Sequence, residues 1–207
     1  PEFGILKTNE TKVITSFIEK PAKEILPQWE SDTGPEMQTQ GRNYLASMGI
    51  YVFNRSLLFD ELQNEYKEAK DFGKEIIPQS IHKHKVISYQ YDGYWTDIGN
   101  IYSFFEANLA LTQDIPPFNL FDNNKMVYSR ARMLPPAKIS GSNLNNTLLA
   151  EGSIIKAEKI SNSVIGIRSR IGTGTIIEGC YLMGSDFYET LEEIAHNFKN
   201  NIPPVGI

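Results

Sequence analysis

Along the first part of the chain the apolar positions switch repeatedly between a two-residue and a helical period. KVITSFIEKP reads as a strand stopped by Pro21, and YLASMGIYVFN as a second apolar strand with Gly49 inside it. SLLFDELQNEY sets Leu57, Leu58, Leu62 and Tyr66 near helical spacing, and DFGKEIIPQSIHKH predicts a short helix interrupted at Pro78. KVISYQYDG predicts a third strand. NIYSFFEANLALT then predicts a helix capped by Asn100, with Ile101, Phe104, Phe105 and Leu109 on one face. Strands separated by helical stretches indicate an α/β layered fold. The polar segment from Pro21 to Asn43 reads as a long surface loop.

A linker follows, TQDIPPFNLFDNNK, with prolines at 116 and 117, and after MLPPAKI the period changes. Leu148, Ile154 and Ile160 are spaced by six; after a one-residue slip, Ile165, Ile171, Ile177 and Met183 are spaced by six again. Glycines 141, 152, 166, 172, 174, 179 and 184 punctuate the intervals. A six-residue apolar period predicts a left-handed parallel β-helix, each hexad forming one flat side of a triangular coil. A meander of ordinary strands would alternate with period two instead. The pattern supplies about two coils before DFYETLEEIAHNFKNN predicts a helical or irregular insertion. The domains expected are 1–112, a linker over 113–136, and 137–207 for a partial β-helix.

Composition narrows the function classes. A net charge of −5, with no block of like charges, argues against a surface for nucleic acid. No apolar run approaches the roughly 18 residues that cross a bilayer, so no membrane span is expected. The single cysteine, Cys180, permits no internal disulfide and points to a reducing cytoplasm; within its hexad it reads as a small apolar filler. His82 and His84 in IHKHK lack a carboxylate or cysteine at metal-ligand spacing and are expected to face solvent. The chain opens on Pro1 and reads as a piece of something longer.

Taken in order, FIEKP, YLASMGIYVFN, DFGKEIIP, GYWTDIGNIYSFFEANLALT, LPPAKI, SVIGIRSRIG, MGSDFYET and IPPVGI resemble the glucose-1-phosphate adenylyltransferase family, the ADP-glucose pyrophosphorylases, over almost the whole chain. The resemblance implies the sugar-binding half of a Rossmann-like nucleotidyltransferase domain, followed by the start of the left-handed β-helix. The family's glycine-rich triphosphate loop and an upstream metal-binding aspartate find no counterpart here, so the chain is expected to be inactive by itself, with apolar sheet edges exposed. The activity implied for the intact protein joins ATP to α-D-glucose 1-phosphate, giving ADP-glucose and diphosphate in glycogen or starch synthesis. Formation of UDP-glucose, GDP-mannose or dTDP-glucose, or a non-catalytic regulatory subunit, stay open as alternatives.

The resemblance also assigns roles. Lys20 would neutralise the sugar phosphate and Glu19 would accept from sugar hydroxyls; without the resemblance the two read as an exposed pair at a strand exit. Asp97 would hold Mg2+, or else serve as a helix N-terminal acid. Trp95 would cover the sugar ring, or else pack in a core. Ser47 and Asp71 would bind hydroxyls while Tyr51 and Phe72 shape the walls, or else pack in a core, with Ser47, Gly49 and Tyr51 on one strand face. Gly49, lacking a side chain, would let a ligand approach the backbone. Arg130 and Arg132, two apart in the linker, would meet an anionic allosteric effector, or else are solvated linker arginines. Arg168 and Arg170 are expected to decorate the β-helix or a subunit contact. The intact assembly implied is a homo- or hetero-tetramer.

Overall fold

The three-strand sheet of the first part begins with a hairpin whose turn is built by one side chain. Asn9 Oδ1 accepts the N–H groups of Thr11 and Val13 at 3.1 and 3.0 Å, and Lys12 takes left-handed backbone at φ 61°. This joins β1, Ile5–Thr8, antiparallel to β2, Ile14–Ile18. The structure, a computed structural model, describes residues 3–202; the closing PPVGI of the last family-like motif lies outside them. The chain divides into two units, Pro1–Asp92 and Gly93–Ile207.

In the first unit the sheet order is β2-β1-β3, with β3 at Leu45–Ala46. The long apolar strand expected over YLASMGIYVFN is therefore reduced to its first residues. Gly49, at φ 70°, turns the chain in left-handed backbone, so Ser47, Gly49 and Tyr51 do not share a strand face. A strand persists only where a neighbour takes its ladder hydrogen bonds. The ladder ends at Ser47, whose N–H donates to the Gly4 carbonyl at 2.8 Å; among the described residues no strand runs beside 48–53, and Val52 is 98% exposed. The third expected strand, KVISYQYDG, contributes a single bridge, Val13 to Ile87, flanked by two backbone hydrogen bonds of 2.8 Å. The segment expected as a loop folds into a 3-10 helix, Lys23–Trp29, and a short α1, Pro35–Thr39, tied down by Ser31 N–H on the Asn43 carbonyl at 2.9 Å.

Helix α2, Arg55–Gln63, is capped by Asn54, which accepts from Ser56 and Leu57. One π-helical turn, Phe72–Ile76, leads into α3, Ile77–Lys83. Pro78 falls in the first turn of α3 and does not interrupt it, because a first-turn residue has no helical N–H to lose. Helix α3 packs on β2, enclosing Ile5, Leu6, Ile14, Tyr66, Ile76 and Ile77. His84 is not solvent-facing. Its Nε2 lies 2.5 Å from Oε1 of Glu61, whose side chain is only 6% exposed, while Lys83 pairs with Glu65. Glu61 sits on a different helix, so linear spacing could not reveal the partnership.

The second unit opens with α4, Ile101–Ala110, where the Asn100 side chain accepts the Ser103 N–H at 2.9 Å as expected. Ile101 is not on its buried face: it is 89% exposed and takes no part in the packing, which sets Phe104 edge-on to Tyr181 with centroids 5.0 Å apart. After the linker come β4 Lys138–Ile139, β5 Asn143–Leu149, β6 Ile154–Ile155, β7 Lys159–Ile165, β8 Arg170–Ile171, β9 Ile176–Glu178 and β10 Tyr181–Leu182. All their pairings are parallel. Ile139, Ile155 and Ile171 form one column, Leu144, Ile160 and Ile177 a second, and Leu149, Ile165 and Leu182 a third. Helix α4 packs against β7 and β10, which explains why the second unit begins ahead of the linker.

The columns correct the hexad count. Leu149, Ile155 and Leu182 point inward where a strict period of six selects Leu148, Ile154 and Met183, and Met183 is 79% exposed. The corners cause the drift. Asn146, Asn162 and Gly179 stack in left-handed backbone and make a tight corner, which brings successive inward residues one position nearer. Buried serines satisfy the corner backbone: Ser163 Oγ accepts the Cys180 N–H at 3.0 Å, and Ser153 Oγ accepts that of Ser169 at 3.2 Å. Cys180 itself packs beside the apolar columns, in keeping with the filler reading.

The insertion is helical, as expected: α5, Leu191–Lys199, begins with a capping box between Thr190 and Glu193. Arg168 lies over the Tyr188 ring, and Arg170 pairs with Glu189 at 3.9 Å, so both arginines brace the insertion from the β-helix. Among the described residues no helix is long and apolar enough to cross a membrane.

Candidate active site

The end of β2 presents Glu19 and Lys20. Lys20 takes left-handed backbone at φ 46°, its N–H bonded to the Phe3 carbonyl at 3.2 Å, and Pro21 behind it is buried. A side-chain-bearing residue in that region is strained and must be held by its surroundings. Here the backbone hydrogen bond and the buried proline hold it, and the Lys20 side chain is exposed.

Glu19 is half-buried, and its carboxylate lies against two glycines. A Cβ on Gly4 would come 2.7 Å from Glu19 Oε2, and one on Gly73 would come 2.8 Å from the same oxygen. The Gly73 position is also 3.5 Å from Asp71 Oδ1, so the two carboxylates flank one point. Asp71 caps the π-helical turn, accepting the Lys74 N–H at 2.9 Å. Cap duty accounts for its backbone position and leaves its second oxygen uncommitted to that bond.

Aromatic walls stand on the same turn. Phe72 stacks on Tyr51 with centroids 6.1 Å apart and planes at 21°, and Phe53 contacts both rings at 5.8 and 6.4 Å. Ser47 Oγ and Tyr51 Oη share a hydrogen bond of 3.3 Å, and Ser47 Oγ also accepts the Gly49 N–H at 3.3 Å. Gly49 is thus needed for the backbone turn that brings Tyr51 back to Ser47. The first unit therefore links Ser47 through Tyr51 to Phe72, and brings the Glu19 and Asp71 carboxylates to either side of the Gly73 position, so the two sets adjoin at residues 71–73. Phe53 and Gly73 were not singled out in the sequence; Phe53 alternates with Tyr51 in YVF, and Gly73 stands inside DFG.

Trp95 and Asp97 belong to the second unit, both half-buried on the approach to α4. The Asp97 carboxylate folds towards Gly99, where a Cβ would meet Oδ2 at 3.0 Å. Arg130 and Arg132 are exposed, in chain outside any helix or strand. Among the described residues no three His, Cys, Asp or Glu side chains gather into a metal cage.

Carboxylates, a hydroxyl and stacked rings gather on the α/β unit, and a parallel β-helix follows along the chain. Residues 1–114 match the nucleotidyl transferase family and residues 132–207 the GLGC left-handed parallel β-helix domain. The first match spans more than half the chain, and the chain belongs to the nucleotidyl transferase family. The two matches together support a sugar-1-phosphate nucleotidyltransferase, and they make the β-helix left-handed.

Proposed function

We propose that the protein containing this chain is a glucose-1-phosphate adenylyltransferase, converting ATP and α-D-glucose 1-phosphate to ADP-glucose and diphosphate. The observation that carries this reading is the convergence of Glu19 and Asp71 on one point beside the Tyr51–Phe72 stack, within a chain that also matches the GLGC β-helix. Two carboxylates can accept from vicinal hydroxyls, and flat apolar walls suit the less polar face of a hexose ring. Ser47 adds a third hydroxyl-binding group; Trp95, in the second unit, is proposed to cover the sugar ring on the family likeness alone.

In the reaction a phosphate oxygen of glucose 1-phosphate attacks the α-phosphorus of ATP, and diphosphate leaves in line. The nucleophile is already an anion and needs no general base. The difficulty is the approach of two polyanions, met by fixed positive charge and positioning. Lys20 supplies the charge at the sugar phosphate, and its strained but braced backbone fixes where the side chain starts. Magnesium suits a site of this kind: it takes one or two carboxylates and completes its shell with phosphate oxygens, and Asp97 offers a single hard carboxylate, with no three-ligand cage among the described residues. Bound there, the ion would supply charge neutralisation at the phosphates. Arg130 and Arg132 are proposed to meet an anionic effector in an intact tetramer.

The test uses the full-length protein. Lys20→Ala is expected to raise KM for glucose 1-phosphate about a hundred-fold while leaving KM for ATP nearly unchanged. An equal rise in both would defeat the assignment of Lys20 to the sugar phosphate. Turnover compared among ATP, UTP, GTP and dTTP decides the base, and activity with a base other than adenine alone would replace the adenylyl reading with a sister activity.

A further inference from the structure

We infer that Gly73 is a positioning residue for Glu19: by carrying no side chain, it leaves the space in which the Glu19 carboxylate sits. The inference rests on the proposed reading of Glu19 as a sugar contact and goes beyond it by naming what holds that contact in place. A Cβ at residue 73 would lie 2.8 Å from Glu19 Oε2 and 3.2 Å from Cδ, while its distance to Asp71 Oδ1, 3.5 Å, is ordinary contact. The methyl would therefore collide with one carboxylate and spare the other.

Backbone conformation does not explain this glycine. Gly73 is not among the residues with positive φ, and it lies in a helical turn, where alanine is the better helix former. What the position lacks is room. Gly4 encloses the same oxygen from a distant segment of the chain, its Cβ position 2.7 Å from Oε2. Glycines on two sides let both segments close on the carboxylate, and this limits the rotamers open to a long, flexible side chain. Gly4 is the less informative place to intervene, because a Cβ there would also strike the Phe17 ring.

Gly73→Ala in the full-length protein tests the inference beside Glu19→Ala and the double variant. The expected result is a ten-fold or greater rise in KM for glucose 1-phosphate with G73A, with kcat and KM for ATP within two-fold of wild type. The double variant should match E19A alone, since the methyl has nothing left to displace. A purely structural role would instead lower the melting temperature and affect both substrates. A crystal structure of G73A should show the Glu19 carboxylate moved from its place between residues 4 and 73.

An E19A variant that raises KM beside a silent G73A overturns the inference and leaves the functional reading intact, as does additivity in the double variant. If E19A leaves KM unchanged, the functional reading fails, and the crystal structure alone then decides the positioning role: an unmoved carboxylate overturns it. Should G73A fail to fold, folding of the double variant shows that the clash is with Glu19, whereas misfolding of both refutes it.

Discussion

Two adjacent isoleucines give the sharpest test of how the β-helix is packed. Ile155 is fully enclosed in the column between Ile139 and Ile171, whereas Ile154 is half-buried on the outer side, beside Arg168 and Tyr188. Truncating Ile155 to alanine removes three carbons, about 2.4 kcal/mol of transfer energy at ~0.8 kcal/mol each. The flat coils above and below are tied by backbone ladders and close the void poorly, which adds about 1 kcal/mol. Ile155→Ala should therefore destabilise the second unit by roughly 3–4 kcal/mol. Ile154→Ala loses about half the transfer energy and opens no sealed void, so about 1 kcal/mol is expected. Urea denaturation of the 207-residue chain, followed by far-UV circular dichroism, measures both, with the slope on denaturant as a check that the same transition is compared. Equal losses, or a larger loss for I154A, would refute the inward phase derived from the columns and restore the strict six-residue count.

Two further expectations concern paired groups. The Glu193 carboxylate accepts the Thr190 backbone N–H and then its hydroxyl, at 2.7 and 2.9 Å, which holds its pKa below the usual 4.5. A carboxylate depressed in the folded state adds stability above its unfolded pKa and loses it as pH falls through the lower folded value. The contribution of this capping box to α5 should thus be lost as pH falls into the acidic range. Thr190→Ala, which keeps the N–H and loses the hydroxyl, should move the Glu193 titration part of the way back up in a carboxyl-detected NMR experiment; no movement would contradict the capping box. For the buried Glu61, His84→Ala should cost about 1–3 kcal/mol by leaving the carboxylate without its partner. The double variant with Glu61→Ala should cost less than the two single losses together, and strict additivity in thermal melts would argue against the pair.

Local features were legible in the sequence because short stretches of chain determine them. Asn100 caps α4 as its pattern predicts, because that signal needs only the four residues around it. The repeating apolar period of the β-helix is likewise a local pattern, and the ordered motifs carried the family likeness. Tertiary structure alone decided the rest. The inward phase depends on corners where Asn146, Asn162 and Gly179 stack across separate coils, so a period counted along one coil drifts. The second strand shortened to Leu45–Ala46 because a strand ends where its neighbour does, and His84 left solvent for a glutamate on another helix. Within the site, Ser47, Tyr51, Asp71 and Phe72 were named from motifs, but that Glu19 rests between Gly4 and Gly73 is a matter of close approach between segments remote in sequence. Side-chain space is a property of the folded packing, and a glycine does not announce from its neighbours which group will occupy the room it leaves.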